Sequence, residues 1–153
     1  MKDFQISKFY TYFELTDSAE HPELVEQNRA EGIAFIPQIQ ETAQRIFDPL
    51  CEIYGKFTIT SFFRGATLND KIGGHPKSRH TMGLAGDIWR KNLSEFQVTR
   101  IATLLLKLDI GFHKFIFEKH NHKTWIHIST GTNLKRFLLY SGGVYSEKQI
   151  KIY

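Results

Sequence analysis

Apolar residues recur at helical spacing in two stretches of the chain. Between residues 36 and 54 they fall at three- and four-residue steps, with Pro37 in the first turn, which predicts a helix. Pro49 lies inside this stretch and should kink the helix or shift its boundary, because proline donates no N–H and clashes with the preceding turn. A second apolar stripe predicts a helix over residues 94–108, with Ser94 as its N-cap.

Runs of β-branched and aromatic residues predict four strands. These are residues 57–63, 112–118, 124–130 and 135–140, and a polar loop, KHNHK, joins the second strand to the third. The helices, including a short one over residues 16–29, precede most of the strands. This order predicts an α+β fold in which helices flank a small antiparallel sheet. With 153 residues, the chain is expected to form one domain over residues 1–153.

The composition narrows the class of protein. A hydrophobic fraction of 41%, with 14% aromatics, indicates a globular chain. The single cysteine, Cys51, excludes an intramolecular disulfide framework and any zinc site with several cysteines. No apolar stretch reaches the roughly 20 residues that span a bilayer. The N-terminal segment lacks an apolar signal-peptide core, so we expect synthesis in the cytoplasm without a signal peptide.

The charge gives a weaker indication. A net charge of +4 and a pI near 9.2 favour polyanionic partners such as nucleic acid or an acidic cell-wall polymer. The basic residues are scattered, however, and no nucleic-acid-binding motif accompanies them. We therefore expect a monomer that binds neither nucleic acid nor membrane.

Two histidines and one aspartate are candidates for a catalytic zinc site. His80 and Asp87 follow the first strand, and His127 lies in the strand-like run TWIHIST. Zinc in hydrolases takes three protein ligands of this kind and leaves a fourth position for water. Seven residues of straight strand would hold His80 and Asp87 more than about 20 Å apart. The chain must therefore fold back between them, which Gly83 and Gly86 would permit.

Other residues complete or compete with this site. Glu118, at the end of a strand, could act as the general base and could share a sheet edge with His127 if their strands pair. Arg64 is placed to meet a substrate carboxylate or an oxyanion. His120 and His122 form an H-x-H pair in the polar turn and remain rival metal ligands at this point.

Four spaced motifs resemble those of the M15 zinc peptidases, the D-Ala-D-Ala carboxypeptidase-like family, in its phage and bacterial peptidoglycan branch. The family's motifs are S-x-x-R, N-x-x-[VI]-G-G, S-x-H-x-x-G-x-A-x-D and W-[IV]-H-[IV]-S. They stand here at residues 61–64, 69–74, 78–87 and 125–129. There are two departures: Phe62-Phe63 replaces the family's glycine-aromatic pair, and the segment KHNHKTWI before His127 is longer than the family leads us to expect.

The resemblance implies a role for each motif. It implies zinc (Zn²⁺) bound by His80, Asp87 and His127, catalysis by Glu118 and Arg64, and substrate binding by Ser78, Asn69 and Gly74. It also implies the zinc-binding α+β fold shared by the Hedgehog signalling domain and the DD-peptidases. The implied activity is cleavage of peptidoglycan stem peptides at a bond involving a D-amino acid, by a phage lysin or a virion-associated hydrolase acting at the cell wall or periplasm. The alternative is a metal-binding but inactive wall-binding or phage structural module.

Overall fold

A six-stranded mixed sheet lies at the centre of the molecule. The computed structural model describes residues 1–131, 136–141 and 143–148. In sequence order the strands are β1 (Thr58–Ser61), β2 (Ala85–Trp89), β3 (Lys114–His120), β4 (Lys123–Ser129), β5 (Arg136–Ser141) and β6 (Val144–Lys148). Their order across the sheet is β1-β2-β4-β3-β5-β6. The expected small antiparallel sheet is wrong in two respects, because the sheet is larger and β3 pairs with β5 in parallel.

The two faces of this sheet have different chemistry, because alternate residues of a strand point to opposite sides. One face is apolar and packs into the hydrophobic core. It carries Ile88, Ile126, Ile128, Phe115, Phe117 and Phe137, which are at most 3% exposed. The opposite face carries Asp87 on β2, His127 on β4 and Glu118 on β3, and we call it the site face.

The described residues contain six α-helices. They are α1 (Tyr12–Leu15), α2 (Val25–Gly32), α3 (Ile36–Thr42), α4 (Asp48–Tyr54), α5 (Ala66–Lys71) and α6 (Glu95–Lys107). Of these, α1, α3, α4 and α6 contribute side chains to the hydrophobic core. Ser94 caps α6 by accepting a hydrogen bond from the Gln97 N–H, as predicted. The buried side chains of α6 belong to the hydrophobic core. They are Val98, Ile101, Ala102 and Leu105.

Pro49 marks a break in the long helix predicted over residues 36–54. The chain widens to π-helical geometry over Ala43–Phe47 and resumes as α4, with Pro49 in its first turn. The π-helical segment that precedes α4 changes the hydrogen-bond pattern of the helix where the proline N–H is missing. The predicted boundary shift is therefore confirmed.

Four of the α-helices and strands in the described residues were not predicted from the sequence. These are α1 in the N-terminal segment, α5 and β2 on either side of His80, and β6 in the polar tail. The predicted final strand is present as β5, while its first predicted residue, Lys135, and Gly142 after it lie outside the described residues.

The hairpin between β3 and β4 is tighter than predicted. The strands pair as far as His120 opposite Lys123, so only Asn121 and His122 form the turn. Both have positive φ, 45° and 64°, as a two-residue type I′ turn requires. The segment that looked like a long loop is therefore mostly strand, and it fixes Glu118 opposite Trp125.

The N-terminal segment is held against the body of the molecule. The buried Asp48 carboxylate accepts hydrogen bonds from the Ser7 hydroxyl and the Lys8 N–H, each at 2.9 Å. Tyr10 and Tyr12 are almost fully buried. None of the helices in the described ranges is long and apolar enough to cross a membrane.

Candidate metal centre

His80 is presented by a short 3-10 turn, Arg79–Met82, that follows Ser78. Gly83 ends this turn in the left-handed region, with φ of 69°, and so provides the reversal predicted between His80 and Asp87. Gly86 does not contribute to the reversal, because it lies in β2. A Cβ there would meet Phe62 at 2.6 Å and Phe47 at 2.8 Å, so close packing explains this glycine.

A backbone hydrogen bond orients the His80 ring. Its Nδ1 lies 2.6 Å from the carbonyl oxygen of Phe62, and because a carbonyl only accepts, Nδ1 carries the proton. The Nε2 atom is then free to act as a ligand. Fixing a histidine tautomer through its other nitrogen is how proteins commonly prepare a metal ligand.

Asp87 and His127 face each other across neighbouring strands. They are register partners in the antiparallel pair of β2 and β4, and the Asp87 Oδ1 lies 2.8 Å from the His127 Nδ1. Strand pairing therefore brings together two residues that are far apart in the sequence.

The three candidate ligand atoms converge on one point. His80 Nε2 lies 3.2 Å from His127 Nδ1 and 3.3 Å from Asp87 Oδ1. Ligand atoms about 2.0–2.1 Å from a tetrahedral zinc ion stand roughly 3.3 Å from one another, so the observed separations fit such an ion. Two nitrogens and one oxygen are also the donor types of catalytic zinc sites. Within the described residues, His80, Asp87 and His127 form the group of potential metal ligands whose ligand atoms all lie within 4.8 Å of one another.

The electrostatic environment favours the ligand form of these side chains. Burial lowers the pKa of His80, while Asp87 opposes the effect; the net result favours the neutral imidazole that binds metals. Burial alone would raise the pKa of Asp87, but His80 and His127 outweigh it and hold that pKa below its usual range. The aspartate is thus kept ionised.

Glu118 lies on the same sheet face as His127, two residue pairs further along β3 and β4. It is opposite Trp125, while His127 is opposite Ile116. The pKa of Glu118 is raised, first by burial and then by the negative charge of Asp87, with His127, Trp125 and Arg64 acting in the opposite direction. The predicted pairing between the strands of Glu118 and His127 is confirmed. Both strands, β3 and β4, are central in the sheet and not at its edge.

Burial lowers the pKa of Arg64, and the negative charges of Asp87 and Glu118 partly oppose this effect. The Arg64 side chain donates a 3.4 Å hydrogen bond to the Ser78 hydroxyl. Its Nε is buried and has no hydrogen-bond partner in the described part of the chain. Buried polar groups are usually satisfied, so this guanidinium has capacity for an additional acceptor.

Asn28, on α2, is a residue that the sequence did not single out. It is 2% exposed and its amide donates to the carbonyls of Thr16, at 2.8 Å, and Phe63, at 3.1 Å. Its Oδ1 accepts from the Gly65 N–H at 2.7 Å. These bonds hold the backbone on both sides of Arg64, and no local pattern in the sequence would indicate them.

The other predicted substrate-binding residues surround the loop that leads to His80. Ser78 accepts hydrogen bonds from Arg64 and from the His80 N–H. Asn69 is buried and donates to the carbonyls of Gly74 and His75. A Cβ on Gly74 would meet the Asn69 Oδ1 at 2.3 Å. Asn69 and Gly74 thus shape the loop, and contact with a substrate stays a prediction for all three residues.

The rival histidines lie apart from this centre. His120 ends β3 and His122 lies in the hairpin turn, and both are exposed. The His120 Nε2 is hydrogen-bonded to the side-chain amide of Asn121. The geometry therefore favours His127 over this pair as the third ligand.

Most of the chain is similar to a known protein family. A family model described as Peptidase M15 matches residues 18–129. The match includes β1 to β4 and each of the candidate site residues named above, while β5 and β6 lie beyond it. No curated protein matches the sequence significantly.

Proposed function

The chain belongs to the peptidase M15 family, and on that premise we propose that it is a zinc-dependent peptidase that cleaves peptidoglycan stem peptides at a bond involving a D-amino acid. Family membership identifies it as a peptidase. The metal, the substrate and the residue roles are proposed from the geometry of the site and from the motifs of the chain.

The observation that carries the proposal is the convergence of His80 Nε2, Asp87 Oδ1 and His127 Nδ1 within 4.8 Å of one another. These three side chains would hold the zinc ion. When bound, zinc supplies Lewis-acid chemistry, since it lowers the pKa of water and polarises a carbonyl group. Three ligands leave a coordination position open for that chemistry, whereas structural zinc sites are closed by four.

Glu118 is the proposed general base. Its carboxylate accepts the proton of the attacking water and afterwards donates it to the amine that leaves. A raised pKa suits this role, because an acid–base group works best when its pKa approaches the working pH. Burial and Asp87 supply the shift, and the short hairpin holds the side chain in place.

Arg64 is the proposed electrostatic partner of the reaction. A partly buried guanidinium whose Nε has no hydrogen-bond partner among the described residues can donate to a carbonyl oxygen as negative charge develops there. Such preorganised donors contribute most when the charge forms in a site shielded from water. Asn28 holds the backbone around Arg64 and would fix the position of this donor.

The motifs of the phage and bacterial branch support the choice of peptidoglycan as substrate. The net charge of +4 is compatible with attraction to an anionic cell wall. We accordingly propose that the protein acts at the wall as a phage lysin or virion-associated hydrolase, as a monomer with one domain.

The proposal is tested by incubating the purified protein with isolated peptidoglycan and identifying released peptides by mass spectrometry. Zinc-loaded protein should release peptides with new termini at a D-amino acid, and a chelator should stop the release. Binding to the wall without any chelator-sensitive product would instead indicate an inactive wall-binding module.

A further inference from the structure

Two basic side chains lie side by side on the site face. Lys114 begins β3 and is the register partner of Arg136 on β5. Lys114 is also opposite Ser129 on β4, two residue pairs along from Ile116 and His127. Because directly paired residues share a sheet face, Lys114 and Arg136 project on the same side as the candidate metal ligands.

Arg79 extends this basic cluster from the other side of the site. It immediately precedes His80 in the sequence, and its guanidinium lies against Gly131. A Cβ at Gly131 would meet the Arg79 Nη1 at 2.3 Å and Cζ at 2.6 Å. The missing side chain at Gly131 therefore makes room for the guanidinium just after the end of β4.

His113, next to Lys114 in the sequence, connects the start of β3 to Ser129 on β4 and to Arg136 on β5. Its N–H donates to the Ser129 carbonyl at 2.7 Å, and its own carbonyl accepts from the Arg136 N–H at 3.3 Å. Burial lowers the pKa of His113, and the charges of Arg79, Lys114 and Arg136 lower it further. We call Arg79, Lys114 and Arg136 the basic cluster.

The basic cluster is only partly neutralised by the protein. Arg136 forms an exposed ion pair with Glu147 at 3.2 Å. Among the described residues, neither Arg79 nor Lys114 has an ion-pair partner within 4.0 Å. The His113 Nδ1 and the Ser129 hydroxyl nearby are buried and also lack hydrogen-bond partners there. Like charges held together and only partly balanced by the described residues favour an anionic ligand.

The cluster and Glu118 lie at opposite ends of the site. Lys114 precedes Ile116, the partner of His127, by two residues, and Glu118 follows it by two. Two residues of strand measure about 7 Å, and one residue of extended peptide spans about 3.5 Å. A substrate bound across the metal centre would therefore place an anionic group on the cluster one or two residues from the bond that is cut.

We propose that Arg79, Lys114 and Arg136 form a carboxylate subsite that selects stem peptides carrying a free carboxylate close to the scissile bond. The inference rests on the proposed function, because it assigns one part of that substrate to one end of that site. A stem peptide offers such a group either at its C-terminus or on the side chain of an internal acidic residue. Both sources present the same chemistry to the cluster.

Paired synthetic substrates distinguish the two sources. One pair is a stem peptide ending in D-alanine, with its terminus either a free carboxylate or a carboxamide. The other pair differs only in an internal D-glutamate or D-glutamine. We expect the wild-type protein to prefer the charged member of one pair by about tenfold or more in kcat/KM. The pair that shows the preference identifies the source.

Variants then connect the preference to the cluster. Lys114→Gln and Arg136→Gln should each reduce the preference several-fold, and the double variant, at a zinc content equal to that of the wild type, should abolish it by lowering kcat/KM for the charged peptide. Lys107→Gln, on α6 at the opposite side of the sheet, and Arg45→Gln, at an exposed position, are matched controls that should retain it. Equal rates for both members of both pairs in the wild type, or a preference that survives in the double variant, would overturn the proposal.

A binding measurement separates this proposal from the proposed function. The zinc-loaded Glu118→Gln protein, which should not cleave the peptides, is titrated with each pair by calorimetry, with and without Lys114→Gln and Arg136→Gln. If the wild type releases no peptides from peptidoglycan but the charged peptide still binds about tenfold more tightly in a cluster-dependent way, the proposed activity fails and the subsite stands. If the protein releases peptides but neither binding nor cleavage depends on the charge of the peptide, the proposed activity stands and the subsite fails.

Discussion

Asp87 Oδ1 and His127 Nδ1 lie 2.8 Å apart across the pairing of β2 with β4. The apolar face of the same strands explains why this register is maintained. Ile88 and Ile126, which are also register partners, are fully buried on the other face. A slip of one residue would exchange the faces and move both polar side chains into the core. The hydrophobic pattern thus positions two of the three candidate ligands.

Replacing a strand-borne ligand should remove the metal while preserving the fold. Asp87→Asn and His127→Gln each take away one of three zinc donors, so zinc affinity should fall by more than about 100-fold, the upper range for loss of a mere supporting contact. Zinc content after dialysis, measured by atomic spectroscopy, should drop from one equivalent per chain to nearly none. His120→Gln and His122→Gln are the controls, and zinc loss in these variants instead would contradict the assignment.

Glu118→Gln should separate catalysis from metal binding. The amide cannot accept a proton, so the rate of peptide release should fall by about 10²–10⁴-fold, while zinc content should remain that of the wild type. Glu41→Gln, at an exposed position on α3, should leave the rate unchanged. Substantial activity in the Glu118 variant would show that another group acts as the base.

Arg64→Gln should reduce the rate by about 10²–10³-fold, the typical effect of removing one donor that stabilises developing negative charge. Zinc content should be unaffected, because Arg64 is not a ligand. The decisive comparison is between kcat and KM measured on one synthetic peptide. An effect confined to KM would mean that Arg64 contributes to substrate binding and not to the transition state.

The pH profile should report the environment of Glu118. Burial and Asp87 raise its pKa, and a general base works only when deprotonated. Activity should therefore be present above that raised pKa and be lost as the pH falls through it, at a higher pH than for an ordinary glutamate. Arg64 lowers this pKa, so the acid limb of kcat/KM should move to still higher pH in Arg64→Gln. An unchanged limb, or one at lower pH, would disagree with this placement of the two charges.

Asn28→Ala should destabilise the protein and impair it as a catalyst. It leaves the buried Thr16 and Phe63 carbonyls and the Gly65 N–H without their partner, which should cost about 2–4 kcal/mol of unfolding free energy. Urea denaturation measures this change. The exposed Gln40→Ala control on α3 should stay within about 0.5 kcal/mol of the wild type. A loss as small as the control's would mean that these bonds do not hold the backbone around Arg64.

Local sequence patterns predicted much of the secondary structure. A few neighbouring residues were enough to predict three features: the periodicity of α6, the first-turn position of Pro49 and the strand-like run around His127. β2 was missed because its sequence, AGDIW, is short and contains glycine. β6 was missed because its sequence, VYSEK, is largely polar, as suits a strand at the edge of a sheet.

The site was predictable where motif spacing supplied the information. His80, Asp87 and His127 were selected by residue type and motif, and the fold brings them together. The role of Asn28 could not be predicted, because it bonds to backbone groups that are distant in the sequence. The basic cluster was equally hidden, since Arg79, Lys114 and Arg136 meet only through the pairing of β3 with β4 and β5.

Anomalous diffraction at the zinc absorption edge, from crystals of the zinc-loaded protein, tests the central claim most directly. A single strong peak should lie about 2.0–2.2 Å from His80 Nε2, Asp87 Oδ1 and His127 Nδ1, with Glu118 beside it but not bound to it. A peak held by His120 or His122, or the absence of any peak at the His80–Asp87–His127 centre, would contradict the account.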